Sequence, residues 1–424
     1  MGVQEEPQSD GHDGRDARSS VEIKHATPCV VGETETTEQV HVEKKRRLPS
    51  RMTAFGIDRA ESTPAARLRS DLPLPVPQKN EALIRVQRAG ICGTDLAMMN
   101  DYKPGFEGAL GHEFMGIVED IGVGSDAACA AKWQGKRVVG EINIPCNDAV
   151  HCMVCRDHDA QPSRQDLAIR RRNHCPHRHA LGIVGRGGAF AEFVTLPIDN
   201  LFAVPDGVPD CDAVFAEPLA AAYRILEQNV IRPSDSVAVL GDGRLGLLVA
   251  EAIAAEKAAQ HVTIIGRHAD KLALVATVVD KTTLVSADHD MTSSGSSGQE
   301  GGSGRSQHFD VVVECTGSPA GITSALRMVQ PHGRVVMKST CAQRQSEIPI
   351  DLLRLAGQKS ITIIGSRCGP FAPALDALAT KRINVSKFFE ASYPLTRAPE
   401  AMAHARRRGA LKIQLTVDAA DGNA

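Results

Sequence analysis

The run Val237-Ala238-Val239-Leu240-Gly241-Asp242-Gly243-Arg244-Leu245-Gly246 constrains the fold more than any other stretch of this chain. Four apolar residues run into a G-x-G-x-x-G turn, and Leu245 to Glu256 then carry a helical pattern. A strand that passes through such a turn into a helix opens a parallel strand–helix–strand unit. In that setting Gly241 permits the tight turn, Gly243 lets the backbone approach a pyrophosphate, and Gly246 lets the helix pack closely on the strand. Arg244 and Leu245 stand where the turn passes into the helix, whose first N–H groups are free to bind phosphate. The glycine pattern alone is weak, and a glycine-rich turn without a ligand is the alternative. Its place between strand and helix is what gives it weight.

The alternation continues downstream. Pro218 to Gln228 is an alanine-rich helical stretch, and Val262-Thr263-Ile264-Ile265 reads as the next buried strand. Asp310 to Cys315 and Gly333 to Met337 extend the series. Strands alternating with helices predict an α/β fold with a doubly wound parallel sheet. Upstream of Pro205-Asp206-Gly207 the pattern differs. Ala82–Gln87, Phe114–Glu119 and Lys136–Gly140 read as short strands punctuated by Gly122 and Gly124, so this half is β-rich. Order is expected from Met52 onward. Residues 1–50 are polar and without period and read as disordered, and the low-complexity run 292–306 reads as a surface insertion. No internal repeat is found.

A chain of 424 residues is long enough for about two to three domains. The net charge of −3 gives no reason to expect nucleic acid. No apolar run approaches the ~18 residues of a membrane span. The first residues resemble neither a secretory signal nor a transit peptide, so a cytoplasmic location is expected. Lys44-Lys45-Arg46-Arg47 reads as a solvated linker run, with a nuclear signal as the alternative. The odd count of eleven cysteines in so large a chain argues against a disulfide scaffold. Cys146, Cys152 and Cys155 crowd together, with Cys175 further on, and read as metal ligands in a reducing compartment.

A second constellation lies apart from these. Cys92 stands in AGICGTDLA, His112-Glu113 in GALGHEFMG and Glu217 in AVFAEPLAAA. Thiolate, imidazole and carboxylate suit a borderline-soft ion such as zinc, and three protein ligands leave a fourth position for chemistry. Singly, Cys92 reads as a small buried hydrophobe and His112 as a satisfied core imidazole. A metal site followed by a dinucleotide loop suggests hydride transfer.

With GxCGTD, GHE, EPL and GDGRLG in that order, residues 52 to 417 resemble the zinc-dependent medium-chain dehydrogenase/reductase superfamily. The likeness is greatest to the alcohol, polyol, glucose and threonine dehydrogenases whose third zinc ligand is a glutamate. The resemblance implies a GroES-like catalytic domain interrupted by a Rossmann domain, with the C-terminal segment returning to the first. The expected boundaries are 51–215, with a cysteine lobe at 141–180, then 216–367 for the Rossmann domain and 368–417 for the return. It implies Cys92, His112 and Glu217 as catalytic zinc ligands, with Glu113 as an outer or exchangeable ligand. Thr94 corresponds to the relay hydroxyl that takes the alcohol proton, with a structural turn hydroxyl as the alternative. Asp95 is placed to orient the zinc-bound histidine, or to cap a turn.

Two departures stand out. The histidine that relatives carry shortly after this motif is Ala97 here, which leaves the proton exit beyond Thr94 open. In the cysteine lobe, five residues separate Cys146 from Cys152 and nineteen separate Cys155 from Cys175, whereas relatives are tighter. A structural zinc held by Cys146, Cys152, Cys155 and Cys175 is expected across a longer loop that includes Arg170-Arg171-Arg172. His151 or His174 could replace a cysteine, and free thiols are the alternative.

The second Rossmann strand ends Ile265-Gly266-Arg267-His268, without the acidic residue that holds the ribose of NAD. Arg267, with His268 and Lys271 as helpers, therefore favours NADP over NAD. The expectation is a zinc-dependent, NAD(P)-linked alcohol or polyol dehydrogenase acting on a small molecule, as a homo-dimer or homo-tetramer. The rivals are a non-catalytic nucleotide-binding protein and a zinc-free quinone or enone reductase. The substrate itself is not legible.

Overall fold

The computed structural model describes residues 48–59, 65–148, 150–156, 173–285, 308–339 and 350–417. The N-terminal stretch, the Lys44–Arg47 run, Arg170–Arg172 and the 292–306 segment lie outside the described residues.

Six parallel strands form one sheet in the order Lys281–Leu284, His261–Gly266, Ser236–Leu240, Phe309–Glu314, Val329–Met337 and Thr362–Gly365. The three central strands, Ser236–Leu240, His261–Gly266 and Phe309–Glu314, are near-continuous apolar runs, as strands buried on both faces are. The strand order reverses direction between Ser236–Leu240 and Phe309–Glu314, and ligands of such sheets bind outside the carboxyl ends at that switch point. The helix Arg244–Ala255 follows the first of these strands directly.

The other half is built on a mostly antiparallel sheet of seven strands. Its centre is Glu81–Gly90, flanked by Glu113–Ile121 and, on the other side, by Lys412–Thr416 from the far end of the chain. Phe389–Pro394 pairs parallel to that last strand. The C-terminal segment thus returns to the first half. A small three-stranded sheet of Asn143–Ile144, His179–Leu181 and Gly185–Arg186 carries the cysteine lobe.

The helix Ala216–Glu227 joins the halves. Alanine and leucine favour its formation, and Pro218 is tolerated in the first turn, where no intrahelical N–H is needed. Its buried face, including Leu219, Ala222, Tyr223 and Ile225, shares one apolar cluster with Met115 and Val139 of the antiparallel sheet and with Val237, Leu248 and Val311 of the parallel sheet. That continuous core sets the two halves against each other.

Candidate active site

The ligand-bearing segments are tied together by one carboxylate. Cys92 caps the short helix Gly93–Met98, and Asp95 in its first turn is fully buried. Asp95 Oδ2 accepts from the Cys92 backbone N–H at 2.8 Å, and its Oδ1 accepts from the Gly111 N–H at 3.1 Å. The same Oδ1 lies 3.3 Å from Nδ1 of His112. Nδ1 makes no aligned hydrogen bond, so charge and packing hold the ring, and Nε2 is left for a ligand. Gly111 has φ of +90°, and a Cβ there would stand 2.3 Å from the Phe190 ring. Only glycine lets the backbone deliver His112 here. Burial opposes a charge on His112, yet Asp95 and Cys92 beside it hold its pKa well above the usual imidazole range.

Cys92, His112 and Glu113 each offer a ligand atom, and these atoms lie within 4.8 Å of one another. The three groups fit zinc by donor type and spacing. Glu113 is buried and ion-paired to Nζ of Lys412, itself buried in the returning strand. Gly90 makes room for this carboxylate, since a Cβ at that position would come within 2.5 Å of Glu113 Oε2. Glu217, the expected third ligand, is not in the group; Glu113, expected only as an outer or exchangeable one, is. Glu217 is the second residue of helix Ala216–Glu227. Burial, with Glu113 and Glu141 nearby and partly offset by His112 and Lys412, pushes its carboxyl up to about 7. Its charge is thus felt by His112 and Glu113 of that group. Thr94 Oγ1 lies 3.8 Å from Cys92 Sγ, at the edge of the group.

The cysteine lobe brings all four candidates together. The Sγ–Sγ distances are 3.7 Å for Cys146–Cys155 and Cys152–Cys175, 3.8 Å for Cys155–Cys175 and 3.6 Å for Cys146–Cys175. A disulfide is far shorter. Four sulfurs about 2.3 Å from one zinc in a tetrahedron would lie about 3.8 Å apart. The inserted residues have therefore not spread the ligands. Backbone N–H groups of Cys155 and Val154 hold the Cys152 thiol down at about 7, against the effect of burial. Neither His151 nor His174 belongs to the cluster. His151 pairs instead with Asp148 at 3.1 Å.

In the glycine loop, Gly241 has φ of +112°, and a Cβ on Gly246 would stand 2.0 Å from the Gly241 carbonyl oxygen. That close contact lets helix Arg244–Ala255 start directly behind the turn, with Gly243 as its cap and Leu245 packed on the core. Gly243 faces open space. Arg244 Nη1 donates to the Ile91 carbonyl at 3.1 Å, so this loop abuts the Cys92 segment.

One reading of the loop is corrected. The end of the second strand is not free of acid, because Asp242 of the glycine loop is packed there. Its Oδ2 accepts from the N–H groups of Arg267 at 2.7 Å and His268 at 2.6 Å, and lies 3.0 Å from His268 Nδ1. A Cβ on Gly266 would come within 2.5 Å of Asp242, so position 266 has no space for a carboxylate of its own. Around this acid stand Arg267, His268 and the buried Lys271, whose pKa burial lowers while Asp242 opposes the shift. Arg408 of the returning segment donates from Nε to His268 Nε2 at 3.4 Å. Arg408 and Lys412 are absent from the sequence reading. A lysine inside the apolar run Leu411–Leu415 was the available signal for the second, and nothing local pointed to the first.

The comparisons with known proteins agree with this architecture. Residues 78–206 match the alcohol dehydrogenase GroES-like domain, and residues 213–407 match the glucose dehydrogenase C-terminus. An L-threonine 3-dehydrogenase of Xanthomonas oryzae is 31% identical over 281 residues, covering 63% of this chain and 72% of the relative. A sorbitol dehydrogenase of Halalkalibacterium halodurans is 28% identical over 352 residues, covering 81% of this chain and 94% of the relative. A zinc-binding dehydrogenase from Sinorhizobium meliloti, solved bound to NADP, superposes with a TM-score of 0.69 at 26% identity, over 87% of this chain and 100% of that one. An alcohol dehydrogenase from a Thermus species gives 0.68 at 28% identity with the same coverage. Among the described residues, no helix is long and apolar enough to cross a membrane.

Proposed function

The chain belongs to the zinc-dependent medium-chain dehydrogenases/reductases, and on that premise we propose that it oxidises a small alcohol or polyol, or reduces the matching carbonyl, with Cys92, His112 and a glutamate as the centre. What carries this reading is the hydrogen bond from Arg244 to Ile91, which sets the dinucleotide loop against the segment of Cys92. A zinc ion there would polarise the substrate oxygen, and a nicotinamide ring would exchange the hydride.

The residues of the chain divide the remaining work. Asp95 holds the Cys92 and Gly111 segments in register and faces His112. Thr94 takes up the alcohol proton at Oγ1, with Ala97 in place of a further histidine relay. Glu217 is proposed as the third ligand, supported by its place at the helix start, where it feels the charge of His112; Glu113, held by Lys412, is the alternative third ligand or its exchange partner. The four-cysteine lobe is proposed to hold a second, structural zinc. NADP is proposed as the preferred cofactor, because Arg267, His268 and Lys271 lie beside the strand end, Arg408 bonds to His268, and Oδ2 of the nearby Asp242 is already bonded. A homo-oligomer is proposed on the exposed sheet edge Thr362–Gly365.

The test is metal analysis with steady-state kinetics. Two zinc ions per chain are expected, with higher kcat/KM for NADP than for NAD. Cys92→Ser should abolish turnover with every alcohol while NADP binding persists. Full turnover by a zinc-depleted Cys92→Ser protein would refute the assignment.

A further inference from the structure

Arg244 is the fourth residue of the glycine loop, and beyond its bond to Ile91 the chemistry above gives its guanidinium no task. It is the first residue of helix Arg244–Ala255, at the end where free N–H groups gather. From there its side chain crosses to the other half of the molecule. Nη1 donates to the carbonyl of Ile91, a fully buried residue immediately before Cys92. The residue after Cys92 is Gly93, and a Cβ there would lie 3.9 Å from Arg244 Nη2. The guanidinium thus rests against a stretch of backbone that carries no side chain. Its charge also reaches Lys271, whose pKa it helps to lower, after burial. A guanidinium has five N–H donors in a rigid fork, and the Ile91 carbonyl takes one of them.

We propose that Arg244 is a positioning residue: with one nitrogen on the Ile91 carbonyl and the others on the cofactor's pyrophosphate, it fixes the distance between the nicotinamide half of the cofactor and the Cys92 centre. The assignment rests on the dehydrogenase reading. The two reactants are held by different halves of the molecule, so their separation depends on what joins the halves. A misplacement of about 1 Å can cost on the order of a hundredfold in rate. A lysine could restore the charge but not the fork, because its ammonium is a single point donor.

Calorimetric titration of wild type, Arg244→Ala and Arg244→Lys with NADP and with adenosine 2′-monophosphate separates the outcomes. The fragment keeps the 2′-phosphate and lacks the pyrophosphate. Arg244→Ala should weaken NADP binding by about ten- to a hundredfold and leave the fragment within about twofold. Arg244→Lys should recover most of the NADP affinity. Both variants should show a larger primary deuterium isotope effect on kcat/KM with a deuterated alcohol, because hydride transfer becomes more rate-limiting. Zinc content and the melting temperature without cofactor should match wild type in Arg244→Lys. Unchanged NADP affinity in Arg244→Ala, parallel loss of the fragment, or an isotope effect unaltered in both variants would each overturn the assignment. If wild type binds neither ligand, the dinucleotide reading fails first, and that result is distinct from all of these.

Discussion

Two buried lysines set the residue-scale energetics. Lys412 has no route to water and is satisfied by Glu113, with its ammonium 5.8 Å from the centre of the Phe215 ring. Removing one member of such a pair leaves an uncompensated buried charge, at a cost of about 3–5 kcal/mol. Lys412→Met should lose that much in urea unfolding of the metal-free protein, and Lys412→Met with Glu113→Gln should recover most of it. A double variant no better than the single one would mean that the lysine contributes packing alone. Lys338 behaves differently. Burial lowers its pKa from 10.5 to about 8, and among the described residues its ammonium bonds to Ser366, at 3.3 and 3.4 Å. The folded pKa lies below the unfolded one, so between the two values the unfolded chain binds the extra proton. Stability from this group therefore rises as pH goes from about 8 towards 10.5, and the penalty is full below 8. Lys338→Met should stabilise the protein at pH 7 by on the order of 2 kcal/mol, with the difference shrinking by pH 10. A difference independent of pH would remove the titration argument.

At the scale of elements, the central strands of the parallel sheet were legible because each is a short apolar run closed by a turn residue, whereas Lys281–Leu284, Thr362–Gly365, Phe389–Pro394 and Lys412–Thr416 are too short or too mixed in polarity to stand out. Ser236–Leu240 and His261–Gly266 each came within one residue at either end. Cys92, His112, Glu113 and Glu217 were legible as types, since few other roles collect those side chains beside GxCGTD and GHE. Their partners were not. Asp242 reaches Arg267 and His268 through the crossover of the parallel sheet, and Lys412 reaches Glu113 across 299 positions. Neither local propensity nor spacing encodes such pairs. The cysteine lobe falls between these cases, because its altered spacing left the metal open while the folded sulfurs approach a tetrahedron. Cys152→Ser should lower zinc from two ions per chain to one and expose the lobe to protease. Two zinc ions retained after that substitution would place the second metal elsewhere.

For the whole molecule, the parallel sheet ends in a strand that buries little. Thr362–Gly365 presents Ile363 at 49% exposure, and the neighbouring helix Ile350–Gln358 presents Leu353 at 49%. An uncovered apolar edge is a template for pairing with another strand, and a second copy of the same edge is complementary to it by two-fold symmetry. Light scattering should give at least a dimer. Ile363→Lys should shift it towards monomer while keeping NADP affinity within about twofold. A monomeric wild type would refute the edge as an assembly surface.

The strand Lys412–Thr416 also has a temporal meaning. It hydrogen-bonds to Arg88, Ala89 and Gly90, the last residues of the strand that leads to Cys92. During synthesis at ~5–20 residues per second, that early strand waits tens of seconds with one edge unpaired until its partner leaves the ribosome. The parallel sheet between them has all its strands by then. Its closure can bring the two ends of the catalytic sheet near each other and shorten the search, since contacts so distant along the chain are otherwise slow to form. The Lys412 partner of Glu113 is thus the last piece of the centre to leave the ribosome, and a polypeptide that stops short of Lys412 should still bind cofactor while holding less zinc than the full chain, as metal analysis would show.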